Sequence, residues 1–272
     1  MFIDYLRCPS CTIQINRHST TVGTVTNTST QSSGRSLLAR MQWRFVKRWI
    51  GGRNLIDVGS GIGEFLQVAR VELGNERCAG IEVDEVSLNY SRMRGLQVSE
   101  TFESVTAEVG TLFTFWHSAE HISAGEMIGI LRKISSRESG GADLVLVCIP
   151  NSDSCAASLA GRKWSFYDPS HHLVQHNEQS LRVLFRVAGL RVIAVETMWF
   201  YGLFDAVQST LNFSGEKNQL HSILKRGQGK MSPSIFMASV VTLVRNPKIT
   251  IRILAAELTG RKTSCVIMLG SS

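Results

Sequence analysis

The stretch that most restricts this chain is RNLIDVGSGIGEFLQVA, Arg53 to Ala69. An apolar run reads as a buried strand, breaks at Gly59, Gly61 and Gly63, and resumes at helical spacing. Glycines at alternate positions permit positive φ and let a ligand reach the backbone, and the following helix aims its free N–H groups at the same place. Asp57 lies two residues before the first glycine. The rest of the chain repeats the alternation. RCAGIEVD, TLFTFWH and GADLVLVCIPN read as strands, LQVSE as a weak one and RVIAVETMWF as another. GEFLQVARVELG, EVSLNYSRMRG, SAGEMIGILRKISSR and NEQSLRVLFRVAGL read as helices. This pattern predicts an α/β fold with a parallel sheet, helices on both faces, and ligands at the carboxyl ends of the strands.

With 43% hydrophobic and 19% charged residues in 272, the chain suits a folded protein rather than a disordered one. Residues 1–53 carry eight Lys/Arg against one acid, 54–215 twelve against nineteen, and 216–272 nine against two. An acidic middle suits a cationic ligand at the glycine turn. The basic flanks suit an anionic surface or substrate, or are simply solvated faces. Residues 1–35 form an N-terminal segment in which 12–35, Ser/Thr-rich, reads as a mobile loop or linker. In it, Cys8 and Cys11 make half of a zinc knuckle. A structural zinc wants four ligands, and His18 is only a distant third. The core is expected over 36–215. It opens on SLLARMQWRFVKRWI, 36–50, an amphipathic helix with Leu37, Leu38, Met41, Phe45 and Trp49 at helical spacing. Residues 216–262 are a basic, partly apolar insertion or tail, and 263–272 a last strand. The tail either lies on an anionic membrane, covers a lipid-linked substrate, or is an ordinary helical pair packed on the sheet. No secretory signal and no apolar run of the roughly 18 residues that span a bilayer is read. Scattered cysteines suit a reducing cytoplasm, with peripheral contact at the inner membrane face through 220–262. Basic residues are not interleaved with stacking aromatics, which argues against nucleic acid as a partner.

A dinucleotide turn follows G-x-G-x-x-G/A, but here the third small position is Glu64, which argues against an NAD-dependent oxidoreductase. Glu82 ends the next strand, where a carboxylate accepts both hydroxyls of a ribose. From about 36 to 200, in motif order, the chain resembles class I S-adenosylmethionine-dependent methyltransferases. LIDVGSGIGEFL looks like their cofactor turn, GIEVDEVSLNYSRMRGL their second motif, and FTFWHSAEHI their segment after strand four, W-H-x-x-E-H. The stretch 149–193 is similar to a bacterial subgroup whose members often occur with polysaccharide and lipid-linked sugar biosynthesis. In that subgroup a P-N pair ends strand five and a W-x-x-x-D-P-x-H-H-like segment crosses the active-site mouth. The resemblance implies a Rossmann-like sheet, mostly parallel, with TSCVIML as an antiparallel last strand. It implies S-adenosylmethionine as cofactor, in contact with Asp57, Gly59, Ser60, Gly61, Gly63, Glu82, Val83, Trp116 and His117. It also implies methyl transfer to a small-molecule or lipid-linked acceptor, sugars included. Thr111 stands where the family often has aspartate, and His176 where a phenylalanine is usual. Between strands three and four, SETFESVTAEVG offers no clear adenine-holding acid beyond Glu100 and Glu103.

Methyl transfer needs alignment, and a hydroxyl acceptor also needs a base, for which histidine is the default. Five of the seven histidines fall in two groups, His117/His121 and His171/His172/His176. His121 and His172 are the candidate bases. Glu120 is expected beside His121 at the start of the helix after strand four, where an acid equally serves a helix N-terminus. A divalent metal on this group is the lesser reading, because no full ligand set at metal spacing is readable. A catalytically silent cofactor-binding or membrane-associated scaffold is the alternative from a different class.

Overall fold

The computed structural model describes residues 4–17, 33–104, 110–137, 143–213, 241 and 246–272. In chain order these form β1 (Tyr5–Arg7), β2 (Gln14–Asn16), α1 (Ser33–Ile50), β3 (Asn54–Val58), α2 (Glu64–Leu73), β4 (Cys78–Ile81), α3 (Glu85–Met93) and β5 (Val98–Ser99). There follow β6 (Thr111–Trp116), α4 (Ala124–Ser135), β7 (Leu144–Pro150), α5 (Cys155–Ala160), β8 (Val174–Gln175), α6 (Glu178–Val187), β9 (Arg191–Glu196), α7 (Trp199–Leu211), α8 (Pro247–Thr259) and β10 (Cys265–Ser271).

Seven strands build the main sheet in the order β5–β4–β3–β6–β7–β10–β9. The pairs β3–β4, β3–β6, β4–β5 and β6–β7 are parallel, and β10 runs antiparallel to both β7 and β9. Every residue of β6 and β7 is buried, as expected of central strands covered on both faces. Alternate side chains divide between the two faces. Leu55, Leu112, Leu146 and Ile267 pack with Trp43, Val46, Phe65 and Leu66 on one side. Ile56, Phe113, Phe115, Val145 and Val147 pack with Met127, Leu131, Leu181 and Phe185 on the other. α4 starts with a capping box between Ser123 and Glu126, the S-x-x-E signal present in SAGE.

Three local expectations are corrected. Within the stretch read as linker, Gln14–Asn16 is a strand that pairs with β1 and with β8; residues 18–32 lie outside the described set. The helix read from 36 begins at Ser33, and its buried face is Ala39, Trp43, Val46 and Ile50 while Leu37 is exposed. The strand read over 191–200 stops at Glu196, and Trp199 opens α7. Aromatic and β-branched runs favour strands, but here tertiary packing of Tyr201 in the core decides. Of the basic stretch 216–262, residues 216–240 and 242–245 lie outside the described residues. The part that is described, α8, packs on α7 and α5 through Ile253, Ile249 and Leu254. No helix among the described residues is long and apolar enough to cross a membrane.

Candidate active site

The glycine turn leaves β3 at the carboxyl edge of the sheet. Gly59, Gly61 and Gly63 have φ of 75°, 55° and 76°, in the left-handed region that favours glycine. Their surroundings differ. A Cβ on Gly59 would stand 2.4 Å from Ser118 Cβ, and one on Gly63 would stand 2.2 Å from Leu96 Cδ1, whereas one on Gly61 would meet nothing within 4 Å. Gly59 and Gly63 are therefore packing positions, and Gly61 faces open space. The N–H groups of Gly59 and Ser60 donate to Ile81 O at 2.8 and 3.0 Å, which binds the turn to β4. Glu82, at the end of β4, accepts from Gly61 N–H at 2.6 Å with Oε2 and from Asp84 N–H at 2.8 Å with Oε1. Each carboxylate oxygen keeps a second lone pair. Ser60 Oγ is buried without a partner, and Val83 is exposed beside Glu82. An open backbone cradle, a spare-acceptor carboxylate and an orphaned hydroxyl fit a ribose-bearing ligand.

Asp57 sits one strand-width inside. It is buried, and its Oδ1 accepts from Thr114 Oγ1 at 2.7 Å. Burial pushes its carboxyl up to about 7; the Thr114 bond opposes this and the Glu82 charge adds to it. Ser118, packed on Gly59, donates to Val58 O at 2.6 Å.

After β6 the chain bends at His117, whose φ of 53° is unusual for a residue with a side chain. Its ring lies parallel to Phe166 at 5.7 Å and edge-on to Tyr201 at 4.5 Å. Its Nδ1 is 3.5 Å from Glu120 Oε1, and its Nε2 is 3.7 Å from Cys148 Sγ. Trp116 is turned into the core, edge-on to Phe45 and Phe65. Glu120 and His121 do not begin α4 as expected from sequence; they occupy a single 3-10 turn, Ala119–His121, ahead of the Ser123 cap. A helix N-terminal role for Glu120 is thereby removed. Glu120 is 2% exposed, and its Oε2 has no hydrogen-bond partner. Burial works to raise its carboxyl, but the His117 contact and the charges of His117, His121 and His172 outweigh it and hold it down at about 2.

The third part of the site returns from far along the chain. Trp164 is fully buried and donates to Asp205 Oδ2 on α7 at 3.0 Å, which anchors the segment W-S-F-Y-D-P-S-H-H. His171 and His172 N–H groups donate to Asp168 O, closing a turn. Leu173 N–H then donates to Glu120 O at 2.9 Å and brings His172 against His121, ring centroids 4.9 Å apart. Glu120, His121 and His172 converge, with one ligand-type atom from each within 4.8 Å of the others. His121 Nδ1 donates to His171 O at 2.8 Å. Burial drives His172 down to about 4. The other histidines of the sequence grouping stay outside: His171 binds Asp168 at 2.8 Å, and His176 is buried against Ser180. Glu103 pairs with Lys133 at the surface.

Sequence reasoning missed the supports. Thr114, Ser118, Phe166 and Tyr201 are such residues, and so is the N-terminal hairpin. Tyr5 Oη donates to His172 O at 3.0 Å, and Asn16 Nδ2 donates to Pro169 O and His172 O at 2.7 and 3.2 Å. Cys8 and Cys11 form the hairpin turn. Among the described residues, the cluster of three potential metal ligands is at Glu120, not at these cysteines.

A family model described as a methyltransferase domain matches residues 34–195, more than half of the chain. The chain belongs to this methyltransferase family. It is an S-adenosylmethionine-dependent enzyme of class I fold. A SAM-dependent methyltransferase from Archaeoglobus fulgidus is similar in structure, with 18% identity, TM-score 0.55, and coverage of 88% of this chain and 94% of that one. A mycolic acid cyclopropane synthase complexed with SAH and CTAB is similar at 11% identity and TM-score 0.50, covering 86% of this chain and 84% of that one. No curated protein sequence is significantly similar to the methyltransferase.

Proposed function

We propose that the methyltransferase moves a methyl group from S-adenosylmethionine to a small-molecule or lipid-linked acceptor, such as a sugar hydroxyl. Asp57, Gly59, Ser60, Gly61, Gly63, Glu82 and Val83 form the cofactor side, and Glu120, His121 and His172 the acceptor side. One observation carries this reading. The missing side chain of Gly59 leaves room for Ser118, two residues from Glu120, so the open cradle at Gly61 and the buried His/Glu cluster share one sheet edge. Bound in the cradle, the cofactor would supply an electrophilic sulfonium methyl and be released as S-adenosylhomocysteine. Glu82 has lone pairs free for ribose hydroxyls. The Glu120–His121–His172 cluster activates the acceptor. With histidine as base, His121 or His172 takes the hydroxyl proton and Glu120 stabilises the imidazolium. Trp116, packed on Phe45 and Phe65, and His117, stacked on Phe166, back the cofactor side.

Calorimetric titration with S-adenosylhomocysteine, with NADH alongside, tests the cofactor side. Saturable binding of the first alone, lost in Gly61→Arg with helix content intact, is expected. Unchanged binding by Gly61→Arg, or preferential NADH binding, overturns it. Peripheral contact with an anionic membrane is part of the proposal. On α8, Ile251 is exposed beside Lys248 and Arg252, and Leu258 is exposed near the end of the helix, which suits delivery of a lipid-linked acceptor.

A further inference from the structure

Gln175 closes β8, is buried, and lies against the ring of His172. Two neighbours that can only accept fix the orientation of its amide. Nε2 donates to Phe166 O at 3.2 Å, and a carbonyl has no hydrogen to return. Nε2 also stands 3.4 Å from Tyr5 Oη, whose single hydrogen already goes to His172 O at 3.0 Å. Turning the amide over would set oxygen against oxygen at Phe166. The group that faces His172 Nδ1 at 3.2 Å is therefore an N–H donor, and Nδ1 receives it with a lone pair. Burial keeps the His172 pKa at about 4, so at neutral pH the ring is uncharged and its one proton sits on Nε2. His121 is the mirror case. Its Nδ1 donates to His171 O at 2.8 Å, so in the neutral ring the lone pair is on Nε2. The two rings stand edge to face, centroids 4.9 Å apart, beside Glu120.

We infer that Gln175 is a positioning residue: by donating to His172 Nδ1 it holds that ring as a hydrogen-bond donor and leaves His121, through Nε2, as the base that takes the acceptor's proton. The base role rests on the acceptor-side reading above; the two ring tautomers do not. His172 has no lone pair with which to take a proton, since Nδ1 is filled by Gln175 and Nε2 already carries hydrogen. An N–H donor suits its place beside the Glu120 carboxylate, whose Oε2 lacks a hydrogen-bond partner. A hydroxyl proton arriving on His121 Nε2 makes an imidazolium that keeps its Nδ1–H bond to His171 O and is stabilised by the Glu120 charge. The N-terminal hairpin serves the same arrangement. Gln14 on β2 pairs with Gln175, and Tyr5 on β1 meets both Gln175 and His172.

The test is NMR of the full-length protein carrying ¹⁵N-labelled histidine, which tells a protonated ring nitrogen from one with a lone pair. The signals lost in His121→Asn and His172→Asn identify the two rings. At neutral pH His172 should show a bare Nδ1 and a protonated Nε2, and His121 the reverse. Gln175→Glu keeps the shape of the side chain but replaces the donor by a carboxylate that only accepts. In that variant the His172 Nδ1 signal should shift from the unprotonated to the protonated range, which a glutamine with a merely structural role would not cause. The parent spectrum decides alone if Gln175→Glu unfolds. A proton on His172 Nδ1 in the parent, a bare Nδ1 on His121, or an unmoved His172 Nδ1 signal in folded Gln175→Glu overturns the inference. S-adenosylhomocysteine titration of the same samples separates the two readings. Binding with the tautomers reversed refutes the positioning role alone, and the expected tautomers without binding refute the cofactor side alone.

Discussion

Replacing Asp57 by asparagine separates what this carboxylate does for the fold from what it does for the ligand. The group is wholly buried, with one hydrogen bond from Thr114, and its folded pKa is about 7 against an ordinary 3.8. An acid raised in this way binds its proton more tightly in the folded state. Below pH 3.8 both states are neutral and nothing is lost. Between 3.8 and 7 unfolding releases a proton, so stability falls as pH rises, and above 7 the full penalty applies, ~4 kcal/mol at ~1.4 kcal/mol per pKa unit. Asparagine has the same shape, still accepts from Thr114, and does not ionise. Its amide N–H groups introduce a buried donor that costs about 1–3 kcal/mol, but equally at every pH. The pH dependence is therefore the quantity to measure. Asp57→Asn should gain roughly 2–3 kcal/mol relative to the parent between pH 5 and pH 7.5, read by urea unfolding at both values. The same variant should bind S-adenosylhomocysteine more weakly at pH 7.5, having lost an anion near the ligand's ammonium group. A difference between variant and parent that is constant with pH, or that shrinks as pH rises, would refute the assignment of a burial-raised carboxyl.

Gly59→Ala should destabilise the protein by about 2 kcal/mol or more, because its Cβ lands on Ser118, whereas Gly61→Ala should cost about 1 kcal/mol for its positive φ alone while weakening cofactor binding more severely. Denaturation and calorimetry on the two variants should thus rank them in opposite orders. Asn16→Ala removes two hydrogen bonds to the turn before His172 and should cost about 1–2 kcal/mol, with amide exchange accelerated around 169–173 and S-adenosylhomocysteine affinity unchanged. Leu258→Asp, at an exposed position, should leave the melting temperature within the scatter of surface substitutions yet reduce flotation with anionic vesicles; equal flotation would dismiss α8 as the contact.

Much of the sheet was legible because its signals are local. The runs TLFTFWH and GADLVLVCIPN are apolar throughout, as central parallel strands are, and the glycine turn announces itself by spacing. β1 and β2 escaped because three-residue strands with polar Gln14 and Asn16 carry no periodicity; they pair with each other, and β2 pairs in turn with β8, some 160 residues on. On the site, Asp57, Gly61 and Glu82 were readable as a motif. That Glu82 already binds Gly61, and that Thr114 and Ser118 stand behind Asp57 and Gly59, depends on adjacent strands and is invisible in a linear pattern. The same holds for the His/Glu cluster. Glu120 and His121 are neighbours in sequence, but the third member comes from the return of the chain through Leu173 onto the Glu120 carbonyl. Of the histidine groups, spacing alone could not say that His172 joins while His171 and His176 do not.

The antiparallel β10 does not sit at the edge of the sheet. It lies between β7 and β9, so the latest strand among the described residues fills a slot left by strands formed well before it. Until residues 265–271 have emerged from the ribosome, β9 has no described neighbour in the sheet and β7 has one edge open. From the synthesis of β9 until β10 follows, the nascent chain therefore carries an open slot between two strand edges, a period in which chaperone capture or pairing with another chain competes with correct closure. Closure of the sheet therefore waits for β10, and losses within Cys265–Ser271 would be felt in the middle of the sheet rather than at its margin.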